Sequence, residues 1–157
     1  MKKELRIVLP DIRSVHNIGS IFRSADGAGV SAIYLTGYSP TPLDRFNKKR
    51  KDMAKVALGA EDSVKWEYYA QIEDVITLLH KEGFTVVGVE QAEGSVPYTK
   101  FNFPQKTALV FGNEVEGISK EVLSLMDGVV EIPLSGKKES LNVSVTAGVM
   151  LFAVRDF

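Results

Sequence analysis

The side chains able to do chemistry in this 157-residue chain fall in three short stretches. Asn17 and Arg23 stand near the start, Glu114 and Glu116 in FGNEVEG, and Ser140 and Asn142 in PLSGKKESLNVS. There is no cysteine, which excludes disulfides, thiolate zinc sites and cysteine nucleophiles. His16 and His80 are too few and too far apart in sequence to suggest a metal site, and no metal is expected. Neither a GxSxG elbow nor a GxxxxGK[ST] loop occurs, which argues against α/β-hydrolase and P-loop chemistry. What remains is two loops dense in Gly, Ser and Asn, of the kind that brings backbone donors and acceptors close to a ligand.

Each of these residues also has a purely structural reading. Asn17 can cap the helix it opens, with Arg23 a solvated charge six residues on, ~9 Å along the axis. Ser140 and Asn142 can cap a final helix in the same way. Glu114 and Glu116 need water or a cation such as Arg23, because a desolvated unpaired carboxylate is expensive. The glycines of Asp26-Gly-Ala-Gly-Val30 follow a helix instead of preceding one, so they read as a helix stop and not as a dinucleotide loop.

The elements that must position these groups follow from hydrophobic period and breakers. Leu5–Leu9 reads as a buried strand stopped by Pro10-Asp11. A helix from Asn17 with Ile18, Ile21, Phe22 and Ala25 on one face is closed by Gly27 and Gly29 and followed by the strand Ala32–Leu35. Thr36–Lys51 is a loop. A short helix is expected over Asp52–Ala60, a strand over Val64–Tyr69, a helix over Gln71–Glu82 and a strand over Phe84–Glu90. Ser95–Phe103 is irregular, Thr107–Phe111 a strand, Ser119–Met126 helical, Val129–Ile132 a strand and Leu141–Val154 the terminal helix. Strands alternating with helices predict one α/β domain over residues 1–157 with a mainly parallel sheet flanked by helices. Ligands sit at the carboxyl ends of such strands, so the loops after Leu9, Phe111 and Ile132 are expected to gather into one site.

Bulk composition narrows the partners. The chain is 45% hydrophobic and 25% charged with net charge −1, so no global field draws it to nucleic acid. The stretch Arg45-Phe46-Asn47-Lys48-Lys49-Arg50-Lys51 nevertheless holds five cations in seven residues, either a solvated loop or a phosphate-contacting patch. No signal-peptide pattern and no apolar run of membrane length occur, so a cytoplasmic address is expected.

Three motifs together resemble the SpoU (TrmH-type) branch of the SPOUT RNA methyltransferases. Asn17-Ile-Gly-Ser-Ile-Phe-Arg23-Ser-Ala25 resembles N-x-G-x-x-x-R-x-A, and Phe111-Gly112-Asn-Glu114-Val-Glu-Gly117 resembles F-G-x-E-x-x-G. Ile132-Pro133-Leu-Ser-Gly136-Lys-Lys-Glu-Ser140-Leu141-Asn142-Val-Ser144 resembles I-P-M-x-G-x-x-x-S-L-N-V-S, with Leu134 in place of the usual Met. The motifs occur in family order and the likeness spans nearly the whole chain. It implies transfer of a methyl group from S-adenosylmethionine to a ribose 2′-hydroxyl of tRNA or rRNA. It also implies a C-terminal trefoil knot and a homodimer with its sites near the interface.

By correspondence with the family, Asn17, Arg23, Glu114, Ser140 and Asn142 match catalytic and substrate-positioning residues, and Gly112, Ile132 and Leu141 match main-chain cofactor contacts. The N-terminal RNA-binding extension that many relatives carry is not expected here. RNA binding then falls to Arg13, Arg45, Lys48, Lys49, Arg50 and Lys51, duplicated by dimerisation. The alternatives are a non-catalytic RNA-binding module on the same fold and a methyltransferase with another acceptor.

Overall fold

The structure is a computed structural model that describes residues 2–156. β1 (Glu4–Pro10), α1 (Val15–Ala28) and β2 (Ala32–Thr36) are followed by α2 (Lys51–Ala57), α3 (Ala60–Ser63) and β3 (Trp66–Tyr69). Then come α4 (Ile72–Lys81), β4 (Thr85–Val89), the two-residue β5 (Val96–Pro97) and β6 (Lys106–Phe111). α5 (Lys120–Leu123), β7 (Gly128–Glu131) and α6 (Val143–Asp156) complete the chain. The seven strands form one sheet in the order β3-β2-β1-β6-β4-β7-β5, and every ladder is parallel.

Because both faces of a parallel sheet are covered, the central strands carry apolar runs with little alternation. In β1, Leu5, Ile7 and Leu9 enter one apolar cluster with α1, α2 and α6, while Val8 enters a second with α4. β6 divides in the same way, Leu109 and Phe111 to the first cluster and Ala108 and Val110 to the second. The period of two thus sorts side chains between two helical layers. Ile18, Ile21, Phe22 and Ala25 of α1, expected on one face, are all fully buried.

Several boundaries differ from the sequence reading, each for a local reason. α1 starts two residues before Asn17 because Ser14 is its cap, the Ser14 hydroxyl accepting from the Asn17 N–H at 3.1 Å. This leaves the Asn17 side chain free for another partner. Gly27 stays helical, and Gly29 alone takes the left-handed conformation (φ 76°) that ends the helix. The helix expected over 52–60 is two, broken where Leu58 and Gly59 adopt φ of 53° and 95°. The irregular stretch 95–103 hides β5, which adds an edge to the sheet by pairing with β7. The final helix begins at Val143, so Leu141 and Asn142 lie in the loop before it.

The chain order places the site. β1, β2 and β3 step outward on one side, and β4 lies on the other side with β6 between it and β1. The order therefore reverses at β1/β6, where the connecting loops diverge to opposite sides of the sheet. From β7 the chain returns across β4 and β6 to pack α6 on α1. Among the described residues no helix is long and apolar enough to cross a membrane.

Candidate active site

A cavity of about 520 Å³ opens at the carboxyl ends of β4, β6 and β7. That is within the usual range for a small-molecule site, roughly 300–1,000 Å³. Its wall is built from Glu90 and Gln91 after β4, residues 111–117 after β6, Glu131, Ile132 and Leu134 after β7, and 139–143 ahead of α6. Gly112, Ile132 and Leu141, the expected main-chain contacts, all line it, as do Glu114, Ser140 and Asn142. Asn17 and Arg23 do not.

The loop after β6 is held close to itself and to β4. A Cβ on Gly112 would stand 2.7 Å from the Gly117 carbonyl carbon, 2.8 Å from the Ile118 nitrogen and 2.9 Å from a Glu90 carboxylate oxygen. Only glycine allows the two limbs of this loop to approach so closely. Gly117 completes the turn with φ 67°, and the Glu90 carboxylate accepts the Ile118 N–H at 3.0 Å. Glu90 is a site residue that the motifs did not single out. Its signal was a carboxylate ending the apolar run VVGV at a strand's carboxyl end.

Glu114 joins this wall to the loop after β1. Its carboxylate accepts from the Arg13 N–H at 3.2 Å, the Ser14 N–H at 3.3 Å and the Asn17 side-chain amide at 3.1 Å. Burial pushes its pKa up, but donation from its own N–H, from Asn17 and from the Arg13 and Ser14 backbone outweighs this and leaves it below the usual glutamate value. The cation expected beside Glu114 is thus not Arg23, because N–H donors at the start of α1 satisfy the carboxylate. Arg23 is exposed farther along α1.

Asn113 ties in a further loop. Its amide donates to the Asp11 carbonyl and, at 2.9 Å, to the Tyr38 hydroxyl, while its Oδ1 accepts the Val115 and Glu116 N–H groups at 2.8 and 3.0 Å. One buried side chain therefore fixes the loops after β1, β2 and β6 together. The β1 loop expected in the site joins it through Glu114 and Asn113, while the loop after β4 takes the place on the cavity wall.

At the last loop, the structural and ligand readings of Asn142 coincide. Its Oδ1 accepts the Ser144 N–H at 2.9 Å and the Ser144 hydroxyl at 2.6 Å, and its carbonyl accepts the Thr146 N–H at 2.9 Å. Asn142 thus caps α6 while lining the cavity. Ser140 lies on the same wall, exposed.

The wall carries five carboxylates, Glu90, Glu114, Glu116, Glu131 and Glu139, with no lysine, arginine or histidine. Among the described residues no three acidic or histidine side chains converge as metal ligands would. An acidic wall without such convergence suits an organic cation. Acceptors, close backbone and a cavity of this size would fit a sulfonium nucleoside.

The basic loop is less uniform than its sequence suggests. Lys49 pairs with Glu61 at 3.1 Å and Asp62 at 2.7 Å, and Arg50 pairs with Asp52 at 3.0 Å. Arg45 lies over the Phe46 ring, 4.8 Å from its centre, and Lys48 is exposed. Of the expected phosphate contacts, Lys49 and Arg50 are engaged within the protein.

Comparison with known proteins places residues 4–152 within the model of the SpoU rRNA methylase family. The chain is 33% identical over 155 residues to a tRNA (guanosine(18)-2′-O)-methyltransferase of Thermus thermophilus, covering 95% of this chain and 73% of that protein. It is 34% identical over 152 residues to the 23S rRNA (guanosine-2′-O-)-methyltransferase RlmB of Salmonella typhi, covering 95% of this chain and 59% of that one. The crystal structure of an AdoMet-bound rRNA methyltransferase from Sinorhizobium meliloti superposes with a TM-score of 0.89 at 29% identity. That match covers 99% of this chain and 57% of the other, so the chain spans little more than half the length of that enzyme.

Proposed function

The chain belongs to the SpoU methylase family, and on that premise we propose that it transfers a methyl group from S-adenosylmethionine to a ribose 2′-hydroxyl of tRNA or rRNA. The observation that carries the reading is the cavity into which Gly112, Ile132 and Leu141 all open, walled by five glutamates and no cation. When bound, S-adenosylmethionine supplies an electrophilic methyl on a positively charged sulfur. The main chain at Gly112, Ile132 and Leu141 would hold the nucleoside, and the carboxylate wall would favour the charged donor over a neutral thioether.

Displacement at a methyl carbon is in-line, so the protein's main contribution is alignment. Glu114 supplies it by locking the start of α1 to the cavity wall. Ser140 and Asn142 orient ligand from the opposite loop, with Asn142 held by its own cap. Arg23 positions and polarises the acceptor nucleotide through its planar fork, since a guanidinium stays protonated near neutral pH. Arg23→Lys keeps the charge and loses the fork; a wild-type rate in that variant would remove Arg23 from the reaction.

Arg23 is absent from the cavity wall of a single chain, which supports assembly as a homodimer. The exposed apolar stripe Val145, Val149 and Phe152 on α6 offers the contact. The return of the chain from β7 past residues 111–117 to α1 supports a trefoil knot in which the C-terminal segment is threaded through that loop. Two apolar clusters on the faces of one sheet support a single methyltransferase domain.

The test is incubation with total tRNA and rRNA plus methyl-labelled S-adenosylmethionine, followed by mapping of the label. Ribose 2′-O-methyl is the expected product. Label on bases, or none with cofactor bound, would overturn the assignment.

A further inference from the structure

The loop after β2 carries a feature that the methyl-donor site does not use. Tyr38 and Tyr68 are large aromatics left 55% and 47% exposed, yet the polar ends of both are engaged inside the protein. The Tyr38 hydroxyl accepts the Asn113 amide at 2.9 Å, and the Tyr38 N–H donates to the Asp11 carboxylate at 2.9 Å. Tyr68, on β3, donates its hydroxyl to the Gly37 carbonyl at 2.6 Å. The next residue, Ser39, is buried; its hydroxyl accepts from the Ile12 N–H at 2.8 Å and donates to the Leu9 carbonyl at 2.7 Å.

Gly37 in this turn and Asp11 in the adjoining loop after β1 adopt left-handed backbone, at φ 62° and 51°, and the space a Cβ on Gly37 would need is filled by the Asp11 carboxylate. Asp and Gly are residues that tolerate this region. The result is a braced turn presenting aromatic surface to solvent. A ring tied by its hydroxyl is immobilised before any ligand arrives, which lowers the entropy lost on stacking.

We infer that Tyr38, supported by Tyr68, is a stacking platform for an unpaired RNA base adjacent to the ribose methylated in the reaction proposed above, on which this inference rests. Three observations select this occupant. Asn113, which holds the Tyr38 hydroxyl, is the immediate neighbour of Glu114 on the cavity wall, so platform and methyl-donor site share one brace. Arg13 lies at the same place, its main-chain N–H donating to the Glu114 carboxylate at 3.2 Å, and its guanidinium stays charged near neutral pH. Exposed Arg45, Lys48 and Lys51 belong to the connection that begins at this turn. Aromatic surface beside cations is what a nucleobase and its flanking phosphates require, and single-stranded RNA is recognised by stacking on such rings. Stacking also favours a base displaced from its helix, as access to a particular ribose in folded RNA demands.

The test uses the full chain with S-adenosylmethionine bound. Binding of a single-stranded RNA oligonucleotide containing 2-aminopurine is followed by fluorescence quenching, and methylation of total tRNA and rRNA by label incorporation. Tyr38→Leu is expected to weaken RNA binding about tenfold, within the range for one base stacked on one ring. The loss appears in KM for RNA, while S-adenosylmethionine affinity equals that of Tyr38→Phe, which lacks the same hydroxyl to Asn113. Tyr38→Phe, which keeps the ring, is expected to recover most of that affinity and the quenching. RNA affinity in Tyr38→Leu equal to wild type would overturn the platform. Equal losses in the Leu and Phe variants would also overturn it, by assigning the effect to the hydroxyl brace. A wild-type protein that binds RNA but leaves ribose unmethylated would defeat the proposed reaction, while the quenching comparison would still decide the platform.

Discussion

Gly112→Ala is the sharpest perturbation of the cavity wall. The added methyl would stand 2.7 Å from one backbone carbon and 2.8 Å from one backbone nitrogen, with a Glu90 oxygen at 2.9 Å. Neither backbone atom can rotate away as the end of a side chain would. Restoring an ordinary contact of about 3.5 Å moves one limb of the loop by roughly 0.8 Å. Overpacking of this kind costs about 1–3 kcal/mol, and at about 2–4 °C per kcal/mol for a domain of this size the melting temperature falls by several degrees. The same shift displaces the main chain expected to hold S-adenosylmethionine, so affinity should fall by about tenfold or more, and a misplacement near 1 Å costs roughly 100-fold in methylation rate.

Gly136→Ala is the control from the third motif. Nothing lies within 4 Å of its added methyl and its φ is not positive, so stability should stay within about 0.5 kcal/mol of wild type. Thermal unfolding and calorimetric titration with S-adenosylmethionine read both variants. A Gly112→Ala protein that melts and binds like wild type would refute the close-approach argument.

Asn17→Asp replaces a donor 3.1 Å from the Glu114 carboxylate with a second acidic group. Like charges at this separation raise one pKa and destabilise the charged pair, so the variant should lose about 1–3 kcal/mol and most activity at pH 7, with partial recovery on acidification; stability measured against pH checks it. Glu114 has a folded pKa below its unfolded value near 4.5, so its contribution is fully present above that value and lost as pH falls through the lowered folded one. Acid unfolding of Glu114→Gln should therefore lack this component, and a profile parallel to wild type below pH 4.5 would contradict the clamp. In the basic loop, Lys48→Ala should reduce the slope of log K against log salt for RNA by about one, and Lys49→Ala by less, because Lys49 already faces Glu61 and Asp62. Equal effects would show that those ion pairs open on binding.

Much of this protein was legible in its sequence because the signals are local. Apolar runs such as LRIVL and TALVF define buried strands, the period of α1 defines its core face, and Gly29 marks where that helix ends. The three motifs carried the family, and most of their marked residues do reach one cavity. Local signals put the cap of α1 at Asn17; the structure caps it with the Ser14 hydroxyl, and the Asn17 amide donates instead to Glu114, 97 residues away in sequence. Such signals could not show that Glu90 closes the loop at Gly117, that Asn113 binds three loops, or that Lys49 and Arg50 are already paired. The contacts of Glu114 and Asn113 depend on a strand order that inserts β6 between β1 and β4, which brings together residues about a hundred positions apart, whereas the ion pairs of Lys49 and Arg50 form within residues 49–62. The sequence by itself determined most of the elements, the chemistry available and the family. Tertiary structure decided which of those groups meet, because hydrogen bonds and ion pairs form between neighbours in space, and the parallel topology sets who those neighbours are.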